Sequence, residues 1–342
     1  MRIKVLILVI IIFFSNYKIS GKELISIEKW SHNILIHGNH FASVVDNYGN
    51  LISMFFKNGV KIANKEKIDF FTRYGKGPGE ISSWKTLCKI NEGIAIFEIN
   101  PARIKIYENI NGKYKWTHNV WLKENACYQM VSSAIFSDEK WFVAGEVYEY
   151  KFLKKKRDSV NLLRIYRADG EFIKNLINEK VKEEKRFDLI SYYLQPYKKH
   201  VYFASEEKLI LYKIEKQNLN VVKVIKLEIP KFYKKPPIDN YLFKPTPVKT
   251  LMRNYEEWKT GYSRITCMSI FKNQLVLQIR TCNPSMSKFA LLFYNLSDYK
   301  LTKKIFVEDL LLTIAKNKFY FFENGNPSFD ENSGDFQIEI YK

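Results

Sequence analysis

The sequence CKINEGIAIFEINPARIKIYENINGKYKWTHNVWL, residues 88–122, contains three short runs in which apolar and polar residues alternate. The runs are bounded by Asn-Glu-Gly at 91–93, Asn-Pro-Ala at 100–102 and Asn-Ile-Asn-Gly at 109–112, which are typical turn sequences. Alternation with a period of two predicts β-strands, because successive side chains of a strand point to opposite faces of its sheet. This stretch therefore predicts an antiparallel meander.

One strand of the meander recurs along the chain as an aliphatic run that ends in an aromatic residue and precedes a polar turn. The copies lie at 51–59, 103–112, 162–170, 208–216, 290–298 and 337–342, with aromatic residues Phe56, Tyr107, Tyr166, Tyr212, Tyr294 and Tyr341. The aromatic residues are 51, 59, 46, 82 and 47 residues apart. Repeats of about 45–50 residues with four strands each are typical of propeller blades. The sequence predicts an all-β protein, a six-bladed β-propeller of four-stranded antiparallel blades over residues 22–342.

The gap of 82 residues contains an insertion between two blades at 230–260. Five prolines between Pro230 and Pro247 disfavour strands there. A helical spacing of apolar residues follows, at Val248, Leu251, Met252 and Tyr255. We expect a short helix-containing insertion, which either carries function or covers the bottom or an edge of the ring.

The two ends of the chain are predicted to complete one blade together. The C-terminal FQIEIYK (336–342) is a copy of the repeated strand without an outer neighbour, and ELISIEKW (23–30) has the pattern of a strand. Their pairing would close the ring and remove an exposed sheet edge.

The first 21 residues have the pattern of a signal peptide. A basic start is followed by the ten-residue apolar run Val5–Phe14, which at about 15 Å is half the length needed to span a bilayer. An uncleaved N-terminal anchor remains the alternative, and no later apolar run is long enough to span. We expect an exported protein, periplasmic, extracellular or associated with the cell envelope, without a transmembrane domain once the signal is removed.

Charge and cysteine content agree with export. The net charge of +19 indicates either solvated loops or attraction to anionic partners, and export argues against nucleic acid as the partner. The four cysteines fit an oxidising compartment. Cys267 and Cys282 flank a predicted hairpin, so we expect a disulfide between them if the turn falls near Asn273-Gln274; two free buried thiols are the alternative.

The second predicted blade resembles an NHL repeat. In FEINPARIKIY, Glu98 stands at the acidic position and Arg103-Ile104 at the Arg-aliphatic pair, while Pro101 replaces the usual Asn. The stretch RYGKGPGEI, together with this blade, resembles exported bacterial six-bladed propellers of the NHL-like or TolB-like kind, in which a G-x-G-P-G-E turn joins the first blade to the second. The resemblance implies a fold and a route of export, but no reaction.

The sequence contains no linear motif for catalysis. The glycines of GKGPGE lie at 75, 77 and 79, which is the wrong spacing for a dinucleotide loop, and a strand-like sequence follows them. No G-x-S-x-G motif occurs, and the five histidines lack a converging spacing. We predict no metal and no cofactor, and a binding module in preference to an enzyme. The alternatives are a hydrolase or lyase with a metal in the central channel and a structural subunit of an envelope complex.

The candidate ligand-binding residues fall into two groups. Arg73, Glu80, Trp84 and Arg103 surround the first inter-blade turn, and Lys234, Lys235 and Trp258 belong to the insertion. The basic residues would pair with anionic groups and the tryptophans would stack on a ligand. The expected partner is a peptide, a glycan or a protein of the cell envelope, bound at the mouth of the channel and the insertion.

Overall fold

A computed structural model describes residues 24–36, 40–55, 59–73, 75, 77–81, 85–99, 101–123, 126–149, 159–180, 191–235, 261–282, 287–323 and 334–342. These residues form 24 strands in six four-stranded antiparallel sheets, and no helix occurs among them. The predicted six-bladed propeller is confirmed. The predicted signal peptide and the helix of the insertion lie outside the described residues.

In each blade the first strand lies nearest the axis, because the first strands of neighbouring blades contact one another. Blade 1 consists of β2 (His40–Val45), β3 (Leu51–Phe55), β4 (Gly59–Ala63) and β5 (Ile68–Thr72). Blade 2 consists of β6 (Lys85–Ile90), β7 (Gly93–Glu98), β8 (Arg103–Ile110) and β9 (Lys113–Trp121). Blade 3 consists of β10 (Ala126–Ser137), β11 (Lys140–Glu149), β12 (Ser159–Arg167) and β13 (Phe172–Lys180).

The remaining blades follow the same plan, and the last one combines both ends of the chain. Blade 4 consists of β14 (Tyr192–Tyr197), β15 (His200–Ser205), β16 (Ile210–Glu215) and β17 (Asn220–Lys226). Blade 5 consists of β18 (Arg264–Phe271), β19 (Gln274–Arg280), β20 (Phe289–Asn295) and β21 (Leu301–Val307). Blade 6 consists of β22 (Leu310–Ala315), β23 (Lys318–Phe322), β24 (Gly334–Tyr341) and β1 (Ser26–Ile36).

The topology gives the ring two faces. Because four antiparallel strands begin and end at the same side of a blade, every connection between blades lies on one face, together with the loops between second and third strands. We call this the connection face. The turns between first and second strands and between third and fourth strands lie on the opposite side, which we call the turn face.

The ring closes as the sequence predicted. Strand β1 pairs antiparallel with β24, with Trp30 opposite Ile338, and Ile25 and Lys342 exchange two backbone hydrogen bonds beyond the strand ends. Trp30 is buried and packs edge-on against Tyr320, with ring centroids 6.1 Å apart. The N-terminal strand thus contributes a large side chain to the core between blades 6 and 1.

Five of the six repeated strands form the third strand of a blade. The exception is the copy at 51–59, which forms the second strand of blade 1, while the true third strand, Gly-Val-Lys-Ile-Ala at 59–63, has no terminal aromatic residue. Two of the tyrosines bond to the connection that precedes their own blade: Tyr107 OH donates to the Gly79 carbonyl over 2.7 Å, and Tyr294 OH to the Glu228 carbonyl over 2.9 Å. The repeated aromatic therefore joins neighbouring blades at these positions.

The predicted disulfide between Cys267 and Cys282 is wrong, because both are free thiols. The hairpin turn is formed by Lys272 and Asn273, and the resulting register pairs Cys267 with Gln278. Cys282 lies four residues beyond that position, about 13 Å along the strand, whereas a disulfide requires Cα atoms within about 7 Å. Cys267 instead packs between blades 5 and 6, where burial raises the pKa of its thiol to about 12.

A buried lysine lies on the side of blade 1 that faces blade 6. Lys61 is 2% exposed, lies in one cross-strand row with Ser53 and Phe70, and places its ammonium 5.0 Å from the centre of the Phe70 ring. Among the described residues no carboxylate lies within ion-pair distance of it. Burial therefore lowers the pKa of Lys61, because the charged form loses its hydration.

Substitution of Trp30 tests the closure of the ring. We expect Trp30→Ala to reduce the free energy of unfolding by about 3–5 kcal/mol in denaturant titrations, because it empties a large volume between the first and last blades. Ile25→Ala is the control, since Ile25 is exposed on the same segment and its loss should change stability by less than about 0.5 kcal/mol. Equal stability of the two variants would contradict closure through β1.

Substitution of Lys61 tests the cost of its burial. We expect Lys61→Met to stabilise the protein by at least about 1 kcal/mol at neutral pH, because methionine keeps the packing and removes the desolvated charge. The folded-state pKa lies below the unfolded value of 10.5, so the wild type gains stability as pH rises through the folded pKa. The advantage of Lys61→Met should therefore shrink towards pH 10.5.

Lys115→Met, on the exposed side of β9, is the matched control and should change stability little at any pH. Thermal unfolding of the three proteins between neutral and alkaline pH measures both effects. An advantage of Lys61→Met that grew with pH would show that the Lys61 charge is stabilised in the fold.

Candidate functional site

Residues 75 and 77–81 belong to the connection between blades 1 and 2, as the sequence predicted. They pack between the two blades. The Gly75 amide donates to the Ile81 carbonyl over 3.0 Å, and the Ile81 amide donates to the Arg73 carbonyl over 2.9 Å. Ile81 is fully buried in the core shared by the two blades. Gly79 has φ +74°, a conformation that favours glycine, and faces Trp116 closely.

Glu80 braces this connection from within. Its Oε2 atom accepts a hydrogen bond from the Gly77 amide over 2.8 Å, and the Glu80 amide donates to the Gly77 carbonyl over 3.1 Å. A Cβ atom on Gly75 would overlap the Glu80 carboxylate, so the glycine leaves room for it. The candidate ligand residue Glu80 therefore has a structural partner inside the turn.

A buried ion-pair cluster lies below the connection, on the side of blade 2 that faces blade 1. Glu98 is fully buried at the end of β7, and its Oε2 atom lies 2.6 Å from Arg103 Nε and 3.7 Å from Lys105 Nζ. Lys105 also donates to the Glu80 carbonyl. Burial lowers the pKa of Lys105, an effect that the Glu98 carboxylate opposes. The cluster thus ties the connection to the third strand of blade 2.

Hydroxyl groups from both blades hold the same connection. Thr72 Oγ1 donates to the Gly79 carbonyl over 2.5 Å, and the same carbonyl accepts the hydrogen bond from Tyr107. Burial raises the pKa of the Tyr107 hydroxyl, which therefore stays protonated and remains a donor. The connection is consequently a fixed corner between two blades.

The other candidates of this group differ in position. Arg73 is exposed at the start of the connection and is available to a partner. Arg103 is partly buried, paired with Glu98, and lies 5.5 Å from the centre of the Trp121 ring. Trp84 lies outside the described residues. Of this group, the structure assigns Glu80 and Arg103 to internal contacts and leaves Arg73 open to solvent.

The insertion between blades 4 and 5 leaves and re-enters the ring at one point. The Ser263 amide donates to the Lys234 carbonyl over 2.8 Å, and the Lys234 amide donates to Ser263 Oγ over 3.1 Å. The described ends of the insertion therefore form a closed base on the connection face. Between these ends, residues 236–260, including Trp258, lie outside the described residues.

Aromatic residues fix this base to both blades. Tyr233 OH donates to the Glu207 carbonyl of blade 4 over 2.9 Å, and the Phe232 ring lies 5.6 Å from that of Phe306 in blade 5. Burial, with the nearby Glu207 charge, raises the pKa of Tyr233. Tyr294 holds the Glu228 carbonyl just before these residues. The first part of the insertion is thus packed against both blades.

The base carries exposed positive charge. Lys231, Lys234 and Lys235 are exposed, and among the described residues none of them has an ion-pair partner. Lys304 lies nearby with its ammonium 5.8 Å from the Phe232 ring centre. This arrangement attracts anionic groups to the point where the insertion emerges.

A second buried polar cluster adjoins the base at the junction of blades 4 and 5. Glu206 is buried beside Arg264, and among the described residues the Arg264 Nε atom has no hydrogen-bond partner. Burial raises the pKa of Glu206, an effect that the Arg264 charge opposes. The Ile265 amide donates to the Glu206 carbonyl over 2.9 Å, and Tyr193 OH donates to the Ile265 carbonyl over 2.8 Å. These bonds join the two blades beside the insertion.

The described residues contain no group of three or more His, Cys, Asp or Glu side chains that could hold a metal ion. Within the same residues no helix is long and apolar enough to cross a membrane.

Neither a protein-family model nor a curated protein matches the chain. Among solved structures, it is similar to a member of the DUF4221 family from Bacteroides vulgatus, with a TM-score of 0.56 and 12% identity over 94% of this chain and 98% of that one. It is also similar to a Bacteroides fragilis protein named "Putative exported protein", with a TM-score of 0.55 and 12% identity over 93% of this chain and 94% of that one. At such identities the likeness shows a shared fold.

Sequence reasoning missed the residues that support the site. Glu98 stands at the acidic position of the NHL-like stretch, yet it was not among the candidates, and Lys105 was not singled out at all. The sequence did contain a signal for Lys105: it occupies an inward-facing position of a strand, where an apolar residue is usual. Glu206 and Arg264 gave no signal, since they are 58 residues apart and meet only through the packing of two blades.

Substitution of Glu98 tests whether the buried cluster holds the first corner. We expect Glu98→Gln to reduce the free energy of unfolding by about 3–5 kcal/mol, because Arg103 and Lys105 then keep buried charges without a counterion. Glu108→Gln on the neighbouring strand β8 is the control, since Glu108 is exposed. If denaturant titration finds the two variants equally stable, the ion pairs do not hold the corner.

Proposed function

We propose that the protein is an exported binding module that recognises an anionic peptide, glycan or envelope protein through its connection face. The observation that carries the proposal is the closed base at Lys234 and Ser263, from which the insertion emerges beside unpaired lysines. A rigid ring that carries one long segment on a fixed base is typical of binding proteins. The scaffold positions the binding segment, which lowers the entropy lost when a partner binds.

Export is part of the proposal. The signal-like N-terminus supports it, and so does the fold shared with a protein whose name refers to export. The resemblance to exported NHL-like or TolB-like propellers supports export as well. We infer no catalytic step, because Glu80 and Arg103 at the first corner have structural partners and the basic residues at the insertion suit anion pairing.

Two parts of the connection face contribute to the proposed surface. The insertion base supplies Lys234 and Lys235, with Trp258 further along the insertion as a stacking residue. The first corner supplies Arg73, while Glu80 keeps the corner in shape. Both parts lie on the same face because each is a connection between blades.

Replacement of residues 236–260 by a short glycine-serine linker tests the proposal. Because Lys234 and Ser263 already lie in contact, the linker can close without moving either blade, and we expect little change in thermal unfolding. Capture of cross-linked partners from an isolated envelope fraction should be lost. Retention of the same partners by this variant would contradict recognition through the insertion.

A charge reversal separates the role of the lysines from that of the segment. We expect the double substitution Lys234→Glu and Lys235→Glu to weaken binding of the captured partner at least tenfold, about 1.4 kcal/mol, in a titration at low salt. Lys113→Glu with Lys115→Glu is the matched control, since these lysines are exposed on β9, away from the insertion. Equal losses in both pairs would indicate general charge attraction only.

A further inference from the structure

A polar cavity of about 180 Å³ opens on the turn face, between blades 1 and 2. It is lined by the turn after β2, the turn between β6 and β7, and the ends of β8 and β9. Its walls include Asp46, Asn47, Tyr48, Lys89 and Glu92. None of these residues belongs to the surface proposed above, which lies on the opposite face.

Hydrogen bonds fix the wall formed by blade 1. Asp46 is buried, and its Oδ1 atom accepts from the Tyr48 amide over 2.9 Å and from the Asn50 amide over 2.8 Å. Its Oδ2 atom accepts from Asn50 Nδ2 over 2.7 Å and from Tyr114 OH of blade 2 over 3.0 Å. The backbone that carries Tyr48 is therefore set before any ligand binds.

Further hydrogen bonds, two of them between blades, fix the remaining walls. Asn47 Nδ2 donates to the Asn91 carbonyl of blade 2 over 2.8 Å, and Lys316 Nζ of blade 6 donates to the Asn47 carbonyl over 2.7 Å. The Asn109 amide donates to the Glu92 carbonyl over 3.3 Å. Three blades thus hold one cavity in shape, which lowers the entropy lost when a ligand binds.

The cavity offers both kinds of hydrogen-bonding group. Within the described residues, neither the Lys89 ammonium nor the Glu92 carboxylate has a hydrogen-bond or ion-pair partner, so a donor and an acceptor are available at its rim. Partial burial and the nearby Lys316 charge lower the pKa of Lys89. The Asp46 and Glu92 carboxylates would repel a simple anion, and the Lys89 ammonium would repel a metal cation. A ligand whose groups both donate and accept suits this mixture.

An aromatic ring stands beside these polar groups. The Tyr48 residue is 70% exposed, although its backbone is fixed by Asp46. An exposed ring on a fixed backbone next to a polar cavity suits a ligand with one apolar face and a polar edge, because the ring covers the face while the cavity bonds the edge. A sugar in the pyranose form has this character: its C–H groups form the face and its hydroxyls form the edge.

We propose that this cavity binds the terminal pyranose unit of a glycan, with Tyr48 packed on the sugar ring and Lys89, Glu92 and Asn47 bonded to its hydroxyls. The proposal adds a second binding site to the ring, on the turn face, and does not depend on the partner of the insertion.

Titration with simple glycosides tests this site. The probes are the methyl glycosides of glucose, galactose, mannose and N-acetylglucosamine, added to the purified protein and followed by saturation-transfer NMR. We expect at least one to bind with a Kd of about 1 mM or tighter. Tyr48→Ala should weaken it about tenfold, whereas Tyr48→Phe keeps the ring and should stay within about twofold of the wild type.

Lys89→Met and Glu92→Gln should each weaken the same glycoside, because each removes one of the available charged partners. Val222→Ala, at an exposed position on β17 of blade 4, should leave binding unchanged. Thermal unfolding of each variant checks that the ring remains folded. Absence of binding by all four glycosides, or equal binding by Tyr48→Ala, would overturn the proposal. Saturable binding of inorganic phosphate or Ca²⁺ that depends on Lys89 or Glu92 would assign the cavity to an ion instead.

Discussion

The pairing of β1 with β24 is the constraint on which the rest of the structure depends. A propeller blade buries both of its faces only if a neighbour lies on each side, so an open ring would leave two apolar faces in water. The N-terminal strand completes blade 6 and places Trp30 in the core between blades 6 and 1. Closure of the ring gives every blade a neighbour on each side. The connections and turns on both faces are thereby held in fixed positions.

Polar groups buried between blades fix the orientation of each blade against its neighbour. Glu98 with Lys105 joins the first connection to blade 2, and Glu206 with Ile265 joins blades 4 and 5. Gln278 of blade 5 donates to the Asp309 carbonyl and accepts from the Leu311 amide of blade 6. Such groups stabilise only the arrangement in which their partners are in place, so they specify how each blade sits against the next.

The sequence predicted the architecture well because blade strands are local and repetitive. Strand alternation, the recurrent aromatic and the pairing of the chain ends needed no knowledge of long-range packing. It failed at the copy containing Phe56, because the third strand of blade 1 lacks the terminal aromatic residue. It also failed at Cys267, because the hairpin turn lies one residue earlier than Asn273-Gln274, which moves the residue opposite Cys267 by two, to Gln278. The cavity beside Tyr48 could not be predicted, since its walls come from two blades and a third blade holds Asn47 in place.

At the candidate site, too, the sequence predicted the local motif but not the side-chain contacts. GKGPGE was found in the sequence, but the role of Glu80 as a brace required the position of the Gly77 amide. We propose that partners bind where the insertion emerges from its closed base. The decisive measurement is hydrogen–deuterium exchange of the protein, alone and with its captured partner. Binding at the base slows exchange at residues 231–235 and 261–263, whereas protection confined to the turn face or the outer strands would show that partners bind elsewhere.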